Sequence, residues 1–213
     1  RRHTRYGTVT GVQTCALPIS TFTVLEDFTA VAGNGAAAAN WNGAELVFVG
    51  FGIHAKDKQW DDFGDVDLRG KVLLVMNDDP VDDRFAGKAR LYYGRWSYKY
   101  EEAARRGAVG AIVIHTTPSA GYPFQVVQAN QDRANFWLPF TDDQPTLPIR
   151  SWLTEDAARK LCALSGHDLD ALRTASTATP RLPIRASAPI SSGVRRETMT
   201  TICDAPASIS NRA

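Results

Sequence analysis

"YYGRWSYKYEEAARRGAVGAIVIH", which runs from Tyr92 to His115, changes from an aromatic, charged segment to an apolar one. Large and small apolar residues recur at helical spacing from Trp96 onward, and Gly107 is a natural helix end. Ile112–Ile114 then reads as a buried strand. A helix that leads directly into such a strand predicts a crossover between parallel strands.

The charges of this segment indicate a packing helix rather than a surface for a polyanion. Glu101 with Arg105, and Glu102 with Arg106, are i, i+4 pairs with the acid first, which predicts two ion pairs on the solvent side. The whole chain has 24 Lys and Arg against 23 Asp and Glu, a net charge of +1. Because nucleic-acid affinity comes largely from phosphate neutralisation, we expect no nucleic-acid partner.

The bulk composition fits one globular domain with short appendages. The chain has 213 residues, of which 44% are hydrophobic and 22% charged. No apolar run reaches the ~18 residues of a membrane span, so none is expected. The cysteines, Cys15, Cys162 and Cys203, form no C-x-x-C pair, which argues against a zinc ribbon or a disulfide framework.

The rest of the chain predicts an α/β (α+β) fold with a β-rich core and a few flanking helices. Short apolar runs predict strands, and capped periodic segments predict helices. The predicted strands are Leu46–Val49, Val72–Met76, one in Thr146–Trp152 and a last one in Pro180–Ile190. The predicted helices begin at Thr154, with a stop at Gly166, and at Asp168.

Three polar or glycine-rich segments predict loops. They are Ala32–Gly43, His54–Gly70 and Pro118–Pro145. The last is 28 residues long and aromatic, and a loop of that length in a compact domain is usually functional or mobile.

Two glycine pairs approximate a dinucleotide-binding fingerprint but lack its context. "GNGAAA" and "GFGIHA" are not followed by an amphipathic helix, which the fingerprint requires. "DVDLRG", from Asp65 to Gly70, imitates the start of a calcium loop. The acid expected at loop position 12 would be Met76, inside a predicted strand, so calcium is not expected either.

No catalytic or metal-binding constellation is evident. The histidines His3, His54, His115 and His167 share no ligand spacing, and no G-x-S-x-G elbow exists. We therefore expect no catalytic residue, no metal ligand and no cofactor in this chain, and we interpret His115 as a structural residue at a strand end.

The first 19 residues differ from the remainder. The stretch "VTGVQTCALPI" resembles a translated sequencing adaptor, so residues 1–19 are predicted to be a non-native tail. The alternative is a flexible native tail. The segment is too short and too polar for a signal peptide.

Five blocks in order resemble the protease-associated (PA) domain of bacterial di-zinc aminopeptidases, which are akin to glutamate carboxypeptidase and the transferrin-receptor ectodomain. The resemblance covers about Ala44 to Arg196. Its blocks are "AELVFVGFGI", "WDDFGDVDLRGKVLLVMNDDP", "GKARLYYGRWSYKYEEAARRGAVGAIVIH", "AGYPFQVVQ" and "LPIRSWLTEDAARKL".

The resemblance implies a non-catalytic accessory domain of a secreted enzyme that removes N-terminal residues from peptides with two zinc ions. It divides the chain into a pre-domain segment (20–43), a PA domain (44–193) and the start of a peptidase domain (194–213), truncated or frameshifted after "VRRETMTTI". The implied partners are that missing peptidase domain and the parent's peptide substrates, and the implied location is extracellular or periplasmic. A free-standing peptide- or protein-binding module is the alternative.

The aromatic residues of the helix entry and the long loop are the candidate site. We hypothesise that some of these rings, with Arg95, form a rim that narrows access to the peptidase. The alternative is that Trp96 and most of the rings are core. The candidates are Tyr93, Arg95, Trp96, Tyr98, Tyr122, Phe124, Phe136 and Trp137. The two segments meet only if the long loop folds back.

Overall fold

The computed structural model describes residues 22–33, 38–85, 92–131, 145–177 and 184–195, with the backbone alone for 38 and 184–195. In these ranges the strands are β1 (Phe28–Ala32), β2 (Ala38–Phe48), β3 (His54–Ala55), β4 (Trp60–Asp61), β5 (Val72–Met76), β6 (Gly110–His115), β7 (Ile149–Thr154) and β8 (Ile184–Arg195). The helices are α1 (Trp96–Arg105), α2 (Thr117–Ala120), α3 (Gln125–Gln131), α4 (Glu155–Leu164) and α5 (Leu169–Thr177).

Six of the strands form one mixed sheet in the order β1-β7-β6-β5-β2-β8. The four central strands are parallel, and one register row runs from Phe48 through Leu74 and Ile112 to Ser151. Strand β1 pairs antiparallel with β7 at one edge of the sheet, and β8 pairs antiparallel with β2 at the other edge. The predicted mixture of strands and flanking helices is confirmed, as is the parallel crossover through α1.

Helices cover both faces of the sheet, which explains why β5 is buried at all five positions. On one face, Leu74 belongs to a core cluster that includes Leu161 of α4 and Leu172 of α5. On the other face, Leu73 packs in a cluster with Tyr100 of α1. No helix in the described ranges combines the length and apolar character needed to cross a membrane.

The apolar face predicted for helix α1 is buried only in part. Tyr100 and Ala103 are buried, whereas Trp96 at the start of the helix is 42% exposed. The predicted pair of Glu101 with Arg105 forms at 3.2 Å. Glu102 does not lie on the solvent side as predicted: it is only 7% exposed, and its carboxylate accepts hydrogen bonds from the two cations that follow it on the helix, Arg105 and Arg106.

The prediction of a loop at Ala32–Gly43 is wrong for the second half of the segment, which forms a strand. Strand β2 begins at Ala38 and pairs with β8, with register shifts between Trp41 and Ala44. Asn and Gly made the segment look loop-like, but its partner strand lies about 150 residues away and gives no local signal. Trp41 is buried and its ring contacts Gly110.

The other two predicted loops also contain regular structure. His54–Gly70 holds the hairpin of β3 and β4 around a 3-10 turn at Lys56–Lys58. Pro118–Pro145 contains most of α2 and all of α3, and its residues 132–144 lie outside the described ranges. The predicted tail 1–19 and most of the segment 194–213 also lie outside them, so the domain division stays a prediction.

Candidate functional site: an aromatic cleft

A cleft of about 330 Å³ lies on the sheet face between α1 and α3, and we call it the aromatic cleft. Its floor comes from the neighbouring strands β1 and β7. Thr29 pairs with Trp152 and Val31 pairs with Arg150, and all four residues line the cleft. Residues two apart on a strand share one face, so this part of the sheet presents the four side chains together.

The first wall is the amino-terminal end of α1. The ring centroid of Trp96 lies 6.0 Å from that of Tyr100 and 6.4 Å from that of Trp152. Tyr100 Oη donates a hydrogen bond of 2.8 Å to the carbonyl of Ser151. This bond fixes the Tyr100 ring against β7, and burial raises the pKa of its hydroxyl. Trp96 therefore packs against the fixed Tyr100 ring, while part of its indole stays exposed to solvent.

The second wall is Tyr122, which follows α2, together with α3. No residue of α3 is buried. The helix is tied to the sheet edge by side-chain amides, because Gln131 Nε2 donates to the Ala30 carbonyl at 3.0 Å and Gln128 Nε2 donates to the Leu25 carbonyl. Asn130 and Gln131 also line the cleft.

Arg150 supplies the positive charge of the aromatic cleft. Its Nη2 donates to the Gly33 carbonyl at 3.1 Å. Burial lowers the pKa of Arg150, an effect opposed by Tyr100 and Glu101. Among the described lining residues there is no other cation, and there is no Asp or Glu.

His115 stands behind the cleft, at the end of β6. Its ring centroid lies 5.6 Å from Tyr122, 5.4 Å from Phe124 and 5.9 Å from Trp152. The residue is buried, burial lowers its pKa, and its Nε2 has no hydrogen-bond partner among the described residues. The neutral imidazole thus packs among the rings of Tyr122, Phe124 and Trp152.

The structure brings together only some of the rim residues proposed from sequence. Trp96 and Tyr122, from the helix entry and the long loop, line the same cleft. Phe124 lies next to them through its contact with His115. The long loop therefore folds back far enough for its first part to reach α1. Phe136 and Trp137 lie outside the described residues.

The remaining candidates lie elsewhere. Tyr98 is buried, and its hydroxyl donates to the His54 carbonyl at 3.3 Å. Tyr93 stacks edge-on against Tyr98, and its hydroxyl donates to Asp57 at 3.2 Å. Arg95 is exposed, directly precedes α1 and does not line the cleft.

Sequence reasoning missed Arg150 and Trp152, which form half of the cleft floor. Both lie in "IRSWLT", whose buried positions alternate with half-buried ones. An arginine and a tryptophan at alternate positions of a strand signal a face that is not fully covered. The sequence predicts only a strand for this segment.

A second cleft of about 500 Å³ lies at the carboxyl ends of the parallel strands, where Asn77, Thr116 and Glu155 follow β5, β6 and β7. Beneath it, Lys99 Nζ donates to the carbonyls of Phe51 (2.6 Å) and Asp78 (2.9 Å).

Lys99 ties α1 to two turns at the strand ends. Desolvation lowers the pKa of Lys99 to about 7, against the opposing effect of Asp62, Asp79 and Asp78. No group of three His, Cys, Asp or Glu side chains in the described residues is placed to hold a metal ion.

Comparison with known proteins gives a weak likeness only. Neither a family model nor a curated protein matches the sequence. Among solved structures, the aminopeptidase from Aneurinibacillus sp. strain AM-1 is similar at 17% identity and a TM-score of 0.31, over 64% of this chain and 29% of that one. The chain thus spans less than a third of that protein. A likeness this low decides nothing about activity, and the PA-domain relation is not confirmed.

Proposed function

We propose that this chain is the protease-associated accessory region of a secreted zinc-dependent aminopeptidase, and that it controls how peptides reach the catalytic domain. The proposal is supported by the five ordered sequence blocks that resemble PA domains. The mixed sheet flanked by helices agrees with the fold that the resemblance implies.

The observation that carries the proposal is the convergence of Trp96, Tyr122 and Arg150 on one cleft. These residues come from three separate segments, and Trp96 keeps 42% of its surface in solvent although it is large and apolar. Concave sites lined by aromatic rings with a few polar groups are typical of ligand recognition. A peptide that passes along this face would contact the rings without meeting a catalytic group.

The chemistry of the cleft suits binding rather than hydrolysis. Two-metal peptide hydrolysis needs carboxylate and imidazole ligands around both ions, and the described lining residues include no His, Cys, Asp or Glu. Burial raises the pKa of the Cys162 thiol to about 11, so this cysteine is not activated as a nucleophile. In this proposal both zinc ions belong to the parent's peptidase domain, which works outside the cytoplasm.

The coding sequence that follows Ala213 tests this proposal directly. We expect a continuous reading frame with an H-x-D motif and a later Glu-Glu pair, the residue types that hold two zinc ions in the family that the chain resembles. A stop codon confirmed in intact genomic DNA, or an unrelated domain, would overturn the proposal in favour of a free-standing binding module.

A further inference from the structure

We infer that His115 is a pH-sensitive switch: when its imidazole is protonated, Tyr122 and Phe124 move away from it, and the wall of the aromatic cleft formed by Tyr122 and α3 opens. This conformational change is a property of the chain alone and needs no peptidase. Only its use, the control of peptides that reach the cleft, rests on the proposed function.

The surroundings of His115 suit a neutral imidazole. The residue is 3% exposed, and its Nε2 has no hydrogen-bond partner among the described residues. The rings of Tyr122, Phe124 and Trp152 surround it, with centroids 5.6, 5.4 and 5.9 Å away. A protonated imidazole carries an N–H donor on each nitrogen. In the packed state the second donor, on Nε2, would therefore be buried without an acceptor, which is costly for a charged group.

The groups that pack around His115 offer no negative charge to an imidazolium. The titratable groups on this face are Tyr122 from the turn before α3, Tyr100 from α1 and Arg150 from β7. Between about pH 5 and 7 both phenols are neutral and the arginine is a cation. Burial lowers the pKa of His115, and backbone hydrogen bonds at Tyr122 and at His115 itself oppose this effect only in part.

The acids at the strand ends act on other cations. Glu155, which starts α4, pairs with the arginines of α4 and α5. Asp78 and Asp79 act on Lys99 of α1. Among the described residues, none of these acids contributes to the pKa of His115. Protonation of the packed imidazole is thus left uncompensated.

The turn between α2 and α3 is the side of this cluster that can move. Trp152 is fixed, because its strand β7 pairs with β1 and with β6. Tyr122 and Phe124 lie in the turn, and the helix α3 that follows has no buried residue and is tied to the sheet edge by the amides of Gln128 and Gln131. An element with few buried contacts opens at a low free energy. Moving the turn and α3 therefore hydrates the imidazolium without breaking the sheet.

The sign of the shift gives the pH range. A histidine exposed to water titrates near ~6.5, and the pKa of the packed His115 is lower. Well above ~6.5 the imidazole is neutral in both states, so the packed state keeps its full stability. As the pH falls below that value the opened state takes up the proton first. The ratio of packed to opened molecules then falls by up to about tenfold per pH unit.

Hydrogen exchange on the intact 213-residue chain tests the switch. Exchange is measured at about pH 7.5 and about pH 5.5 and corrected for the intrinsic rate at each pH. We expect the protection of α3 (Gln125–Gln131) to fall about three- to tenfold at the lower pH, whereas α4 (Glu155–Leu164) keeps its protection. Unchanged protection of α3, or an equal loss in α4, would overturn the inference.

Two histidine variants assign the response to one side chain. His115→Phe keeps a ring but cannot take up a proton, so α3 should stay protected at about pH 5.5. His167→Phe, at a half-buried histidine after α4, is the matched control and should respond as the wild type does. The same loss of α3 protection in His115→Phe as in the wild type would contradict the switch. His115→Gln, which also stays neutral, repeats the test if the Phe variant does not fold.

The switch and the proposed function can fail separately. If α3 loses protection in acid through His115 but the coding sequence carries no peptidase, the proposed function fails and the switch stands. If a peptidase follows but α3 does not respond to pH, the proposed function stands and this inference fails.

Discussion

At the scale of single residues, Gly110 shows how closely the sheet face is packed. A Cβ added there would lie 2.0 Å from Cζ3 of Trp41, far inside van der Waals contact. Gly110→Ala should therefore displace the indole and lower the free energy of unfolding by about 1–3 kcal/mol, the usual cost of overpacking. Urea denaturation measures the change.

A double-mutant cycle checks that Trp41 is the cause. In a Trp41→Leu background, Gly110→Ala should cost much less, because the ring that it meets has gone. The same loss in both backgrounds would show that the glycine matters for another reason.

Lys99 links stability to pH. Its pKa in the folded chain is about 7, whereas an unfolded lysine titrates near ~10.4. Between these values the unfolded chain holds a proton that the folded chain lacks, so the free energy of unfolding should rise with pH from about 7 to about 9, by at most ~1.4 kcal/mol per unit. Below pH 7 both states hold the proton and this contribution is constant.

Lys99→Met is the matched variant. It leaves the carbonyls of Phe51 and Asp78 without their shared donor, so it should be less stable than the wild type at pH 9, where the amine of the folded chain is neutral. The stability difference between wild type and variant should grow from pH 7 to pH 9 in urea titrations. A difference that stays constant across this range would contradict a lowered Lys99 pKa.

At the scale of elements, the start of α4 depends on one side chain. Thr154 Oγ1 accepts a hydrogen bond from the Ala157 N–H at 3.3 Å, as an N-cap residue does. Thr154→Ala should cost about 1 kcal/mol, whereas Thr154→Ser keeps the hydroxyl and should cost less. Thermal unfolding followed by circular dichroism compares the two, and equal losses would show that the methyl group, not the cap, is what counts.

The elements that sequence predicted well carry their signals locally. Helix α4 has its cap, its acidic first turn and its stop within one segment, and the strands β5 and β6 are short apolar runs. The first half of β2 was missed because it exists through pairing with β8. Tertiary pairing overrode the Gly and Asn composition that favours a loop.

The cleft was predictable only in part for the same reason. Trp96 and Tyr122 stood out as aromatic residues of a helix entry and a long loop, but nothing local shows that they share a cleft. Arg150 and Trp152 become site residues because α1 leaves the β7 and β1 end of the sheet face open. The burial of Lys99 depends likewise on turns far away in sequence.

At the scale of the whole molecule, we expect no zinc site in this chain. Purified protein should bind zinc below a stoichiometric ratio and should release no amino acid from peptide substrates, because the described residues offer no three-ligand group. Elemental analysis after dialysis measures the first and a peptide-hydrolysis assay the second. Two tightly bound zinc ions per chain together with turnover would contradict the accessory role.

We propose that the aromatic cleft governs access of peptides to a linked peptidase. The most direct measurement is KM and kcat for a series of peptides, made on the protein that joins this chain to its peptidase domain. Tyr122→Ala should change KM or the preferred peptide length about five- to tenfold, with kcat little changed, because the ring affects binding and not the chemical step. Tyr92→Phe is the control and should behave as wild type, because Tyr92 is half-exposed and does not line the cleft. Unchanged kinetics in a folded Tyr122→Ala protein would contradict the claim.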